Sequence, residues 1–154
     1  MRKLGAIQNL EVIMQKHKIG LDVGDVRIGV AVSDLLGIAA NPRETYVRKK
    51  GDTAADIRYF CEYARREDAD AFVLGLPKNM DGTEGDRVAI TREFGNMLSE
   101  ASGIPVYYQD ERLTTVSAER MLIDADVRRE KRKQVIDKIA ATIILQSYLD
   151  SHRG

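Results

Sequence analysis

The sequence predicts an α/β domain with a mixed β-sheet and helices on both of its faces. Three observations lead there. Apolar and small residues alternate from Ile19 to Gly24, and a second apolar run, Ile28 to Ser33, follows a Gly24-Asp25 turn, as in a β-hairpin. The continuous apolar run Ala71 to Leu76, stopped by Pro77, suits a strand covered on both faces. Beyond Asp52, helical and strand patterns alternate, which calls for crossover connections and parallel pairing.

Taken in order, residues 1–17 carry weak helical spacing through Leu4, Ile7, Leu10 and Met14 and read as an N-terminal extension. From Ile19, the side chains of Ile19, Leu21 and Val23 fall on one strand face. Asp22 falls on the other, between Gly20 and Gly24. A third strand is expected around Thr45 to Val47. A helix follows Asp52, whose carboxylate suits a helix start, with Ile57, Phe60, Cys61 and Ala64 as its buried stripe. After the Ala71–Leu76 strand, Ile90, Phe94, Met97, Leu98 and Ala101 mark a second helix, ended by Gly103 and Pro105. Val106 to Gln109 is a strand leading into Asp110-Glu111, with Tyr107 and Tyr108 packing in the core and at its margin. A short helix is expected after Thr115. The charged stretch Arg128 to Lys133 then precedes a long helix through Val135 to Leu149.

A chain of 154 residues has the size of one ordinary domain. Lys plus Arg number 24 and Asp plus Glu number 24, so affinity for nucleic acid must come from a local basic patch. One unpaired Cys, Cys61, and the lack of a secretory or membrane-spanning pattern point to the cytoplasm. The only histidines, His17 and His152, lie near the ends, so His-based and Cys-based catalytic or metal sites are excluded by inventory.

The chemistry is expected from acids. Asp22, Glu111 and Asp137 each fall within or beside an apolar stretch, where an ionised carboxylate needs a partner. Helical periodicity puts Asp137 near the stripe Ile136, Ala140, Ile144 and Tyr148, and the small Ala140 and Ala141 let that helix come close to a sheet. Three carboxylates converging from two strands and a helix suit hard cations such as Mg²⁺ or Mn²⁺. Two such ions, roughly 3.5–4 Å apart, can clamp the attacking and leaving oxygens of a phosphodiester. Singly, each acid also has a plain structural reading: Asp22 paired with Arg27, Glu111 paired with Arg112, and Asp137 at a solvated boundary. The joint occurrence favours the metal site. The glycine-rich segment from Gly75 to Gly85 and the basic cluster from Arg128 to Lys133 are candidates for gripping phosphates, beside the readings of an ordinary loop and a solvated surface.

Four segments together resemble the YqgF family of small bacterial RNase H-like nucleases, described as pre-16S rRNA nucleases or Holliday junction resolvases. They are Gly20-Leu21-Asp22-Val23-Gly24 with Arg27 to Asp34; Gly75-Leu76-Pro77 with Asn79 to Thr83; Asp110-Glu111-Arg112-Leu113-Thr114-Thr115; and Lys133 through Ile136-Asp137 with Ala140-Ala141. The likeness spans roughly residues 18–150, in order. It implies an RNase H-like fold with a central mixed five-stranded sheet, and Asp22, Glu111 and Asp137 as catalytic acids that bind Mg²⁺ or Mn²⁺. Val26 stands where this family often carries Lys, and the N-terminal extension has no counterpart in the motifs.

The expected activity is metal-dependent endonucleolytic hydrolysis of structured nucleic acid, with 5′-end processing of pre-16S rRNA as the leading role. Holliday junction resolution, non-enzymatic RNA or ribosome binding and, further off, an actin-like ATPase or kinase-type phosphate binder are the alternatives. Expected substrate contacts are Arg27, Lys78, Asn79, Asp81, Gly82, Thr83, Arg112, Thr114, Arg128, Arg129 and Arg132. The expected organisation is an extension over 1–17, a nuclease domain over 18–150 and a tail over 151–154, as a monomer or homodimer that does not engage membranes.

Overall fold

The computed structural model describes residues 16–79, 81–110 and 129–152, with side chains in the last segment described from 135 onward. Strands β1 (His17–Val23), β2 (Arg27–Ser33) and β3 (Ala40–Val47) form an antiparallel meander. Helix α1 (Thr53–Arg66) leads to β4 (Ala69–Leu76), helix α2 (Asp86–Ser102) to β5 (Val106–Asp110), and helix α3 (Arg129–Ser151) follows. The sheet has five strands in the order β3-β2-β1-β4-β5, with β4 parallel to both β1 and β5. It is the mixed sheet the sequence predicts.

Strand alternation divides the core in two. Ile19 and Leu21 of β1, Ile28, Val30 and Val32 of β2, and Phe72 and Leu74 of β4 face α1 and α2, where they pack on Ile57, Phe60, Phe94 and Leu98. Ala31 and Val73 face the opposite way, onto Ala141, Ile144, Leu145 and Tyr148 of α3. Phe60 is fully buried, so Phe60→Ala should cost about 3–5 kcal/mol in lost packing.

Several boundaries differ from the sequence reading. Strand β1 begins at His17, whose Nδ1 lies 2.6 Å from the Ser33 carbonyl oxygen, and not at Ile19. Strand β3 runs from Ala40, not Thr45; its polar start, including Pro42, is tolerated because β3 is an edge strand. Asp52 does cap α1, its carboxylate accepting from Ala55 N–H at 3.0 Å, and Cys61 is buried on the expected face.

In α2 the stripe is shifted. Phe94 and Leu98 are buried as expected, but Ile90, Met97 and Ala101 are exposed, and Val88, Thr91 and Gly95 are buried in their place. At Gly95 the Tyr108 hydroxyl occupies the space where a Cβ would lie, so the helix face at this point accommodates only glycine. Residues 129–133 belong to α3 rather than preceding it. Their Arg and Lys side chains are good helix formers, even though cations in a first turn oppose the helix dipole. The Leu4–Met14 helix and the helix after Thr115 lie outside the described residues.

Candidate active site

The site is built where α3 crosses the central hairpin. A Cβ added at Gly20 would meet Leu145 Cβ at 2.7 Å and the Ala141 carbonyl oxygen at 3.0 Å. At Gly29 it would overlap the carbonyl of Asp137 itself. Two strand glycines thus let the helix backbone rest on the sheet, the close approach that glycine inside a strand permits. Gly29 is the cross-strand partner of Asp22. Directly opposed residues of an antiparallel pair have Cα atoms about 5 Å apart. Asp22 and the Asp137 backbone therefore meet on one face of the sheet.

Arg27 supplies the local cation. Its Nε donates to Asp137 Oδ2 at 2.8 Å, with the arginine side chain 40% exposed and the carboxylate 20%. With one N–H engaged, a guanidinium retains further donors for a phosphate.

Parallel pairing brings the carboxyl ends of β1, β4 and β5 to one edge of the sheet. Leu21 is in register with Leu74, and Leu76 with Asp110. Asp22 lies at this edge. In α/β sheets this edge is where ligands bind. The segment 77–85 leaves β4 there. Asp81 Oδ1 accepts from Thr83 N–H at 2.9 Å, Asn79 N–H donates to the Thr83 carbonyl at 2.9 Å, and Asn79 Nδ2 donates to Thr83 Oγ1 at 3.0 Å. Gly82 takes a positive φ of 88° to close the turn. Asn79, Asp81 and Thr83 thus bond to one another and hold the loop's shape, whereas Lys78, half-buried, starts it. Arg87 Nη1, in the first turn of α2, donates to Asp25 Oδ2 at 3.0 Å and ties the far side of this loop to the β1–β2 turn.

Glu111, Arg112, Thr114 and Arg128 lie outside the described residues, as do the side chains of Arg129 and Arg132. Among the described residues no group of three His, Cys, Asp or Glu side chains is arranged to hold a metal, and no helix is long and apolar enough to cross a membrane. Sequence reasoning did not single out Gly29 as a determinant of the site. The available signal was a glycine between the β-branched Ile28 and Val30 of a strand.

The fold is RNase H-like. Thermus thermophilus RuvC in complex with Holliday junction substrate aligns with a TM-score of 0.56 at 15% identity, over 91% of this chain and 97% of RuvC. The fowlpox virus resolvase with its Holliday junction DNA aligns with a TM-score of 0.55 at 13% identity, over 88% of this chain and 97% of the resolvase. A family model described as "RuvX: Holliday junction resolvase" matches residues 16–151, and the chain belongs to this family, the YqgF resemblance under its other name. A relative from Lactobacillus acidophilus, named "Putative pre-16S rRNA nuclease", is 52% identical over 137 residues, covering 88% of this chain and 96% of the relative. One of the same name from Heliobacterium modesticaldum is 49% identical over 133 residues, covering 86% and 88%.

Proposed function

We propose that the chain is a metal-dependent endonuclease acting on structured nucleic acid, with the 5′ end of pre-16S rRNA as its substrate, and Asp22, Glu111 and Asp137 as its catalytic acids. The observation that carries this reading is the placement of Asp22 opposite Gly29, on which the Asp137 backbone rests. Along β5, Tyr107 pairs its ring with Tyr148 of α3, so alternation puts Gln109 on the α3 face as well. Glu111, the residue after β5, is proposed as the third acid on the strength of its sequence motif.

The donor set fits a hard divalent cation. Carboxylate oxygens are the ligands Mg²⁺ and Mn²⁺ prefer, and the Asp137 backbone rests on the sheet residue opposite Asp22. Such an ion, when bound, activates water and neutralises charge developing on the phosphoryl oxygens. The protein's own groups do the rest. Arg27 orients the Asp137 carboxylate and offers its remaining N–H donors to the substrate phosphate. Lys78 and the backbone of the 79–83 loop border the strand's path, while Arg112, Thr114, Arg128, Arg129 and Arg132 complete the grip.

The relatives' names favour precursor rRNA, and the family description favours four-way DNA junctions. The deciding experiment is cleavage of both substrates by purified protein with Mn²⁺, beside Asp22→Asn. Cleavage of the precursor at its 5′ end, lost in Asp22→Asn, is the expected result. Preference for the junction would move the role to resolution. Equal activity in the variant would remove Asp22 from catalysis.

A further inference from the structure

A cavity of about 400 Å³ lies beside the tip of the β1–β2 hairpin, lined by Asp25, Val26, Arg48, Lys49, Lys50 and Thr53. Its wall is held in place. Buried Asp56 accepts from Tyr46 Oη at 2.8 Å, Arg48 Nε at 2.9 Å and Lys49 N–H at 3.1 Å. Arg48 also reaches across, donating through Nη1 to the Gly24 carbonyl at 2.9 Å and through its backbone N–H to the Val26 carbonyl at 2.8 Å. Gly51, at a φ of 72°, turns the chain into α1.

The charges around this cavity do not cancel. Arg48 is offset by Asp56, and Asp25 by Arg87. The carboxylate of nearby Asp52 caps α1 through Ala55 N–H. Lys49 and Lys50 are exposed, and neither ammonium has an ion-pair partner among the described residues. Two unbalanced cations on an anchored loop are a concentrated positive feature in a chain of zero net charge. Asp22 lies near the end of β1 and Asp25 in the turn that follows, closed by the Gly24 N–H to Arg27 carbonyl hydrogen bond at 2.9 Å. A nucleic-acid strand leaving the acids over the hairpin tip would meet the cavity next.

We propose that this cavity is a phosphate-binding subsite in which Lys49 and Lys50 hold the substrate backbone beside the scissile position. The assignment rests on the nuclease reading and adds to it a binding surface on the α1 side of the hairpin. Binding of a four-way DNA junction and of a base-paired precursor RNA is measured across a salt series in the Asp22→Asn background, where no cleavage intervenes. Adding K49Q and K50Q together should weaken binding tenfold or more and lower the salt slope by about 1.4–1.8, the amount expected when two phosphates are no longer neutralised. Replacing Arg65 and Arg66 with Gln removes equal charge about 20 Å away along α1 and should leave the slope unchanged. An unchanged slope in K49Q/K50Q, or an equal fall in both pairs, overturns the subsite. If wild type still cuts nucleic acid, the subsite alone has failed; if it neither binds nor cuts, the nuclease reading has failed with it.

Discussion

The carbonyl of Asp137 sits where a side chain at Gly29 would begin. A methyl group there meets backbone, which cannot rotate away as a flexible side chain can. Gly29→Ala should therefore push α3 off β2 at Asp137 and cost about 1–3 kcal/mol. Because Asp137 would move with it, cleavage should fall by about a hundredfold, the penalty for displacing a catalytic group by an ångström. Gly20→Ala is the comparison: it crowds Leu145 and Ala141, further along the helix, and should destabilise similarly with a smaller loss of rate. Melting curves and initial rates on the two variants check this. Comparable rate losses would mean that the helix shifts as a whole.

The Arg27–Asp137 pair separates stability from function. With Arg27 40% exposed, the ion pair contributes at most about 1 kcal/mol to folding, so Arg27→Gln should lower the melting temperature by only a few degrees. Losing a charged donor to phosphate should cost tenfold or more in cleavage efficiency. Arg27→Lys should recover only part of it, because an ammonium lacks the forked donors. A variant with wild-type kinetics would leave Arg27 a merely structural partner of Asp137.

The hairpin, the buried β4 and the capped α1 were legible because each depends on local signals: alternation, an apolar run and an Asp before an amphipathic stretch. Asp137 was legible too, since helical periodicity put it at the margin of a buried stripe. The face of α2 was not. Ile90 and Met97 are larger and more apolar than Thr91 and Gly95, yet the smaller pair faces inward, with the Tyr108 hydroxyl filling the space beside Gly95. Tertiary fit overrode hydrophobicity. Arg27's partner was equally hidden, as Asp137 lies far along the chain and only the α3 crossing brings the two together.

Tyr46 ties stability to alkaline pH. Burial, its hydrogen bond to Asp56 and the nearby negative charge push its phenol up from 10.0 to about 12. The folded state then holds its proton over a range where the unfolded chain releases it, so stability is complete below pH 10.0 and declines as pH rises towards about 12. Tyr46→Phe should remove part of that decline and lose about 1 kcal/mol at neutral pH from the missing hydrogen bond. Denaturant titrations at several pH values, with ultraviolet absorbance following phenolate formation, give both quantities. A variant with an unaltered alkaline decline would shift the effect to Tyr63, also raised to about 12.

The basic cluster preceding Asp137 gives a test that does not depend on the metal. Residues 129–133 form the opening turns of α3, where cations oppose the helix dipole and so weaken the helix unless anions meet them. A phosphate backbone supplies those anions. Neutralising Arg128, Arg129 and Arg132 together should weaken binding across nucleic-acid sequences and flatten its salt dependence by about one unit for each phosphate no longer held. The turnover rate at saturating substrate should persist, because Asp22 and Asp137 keep their places. Removing charge from the helix start should also leave the melting temperature unchanged or raise it. If affinity and salt slope match those of the wild type, the cluster is a solvated surface, and the strand is held by Arg27, the 78–83 loop and the hairpin-tip lysines instead.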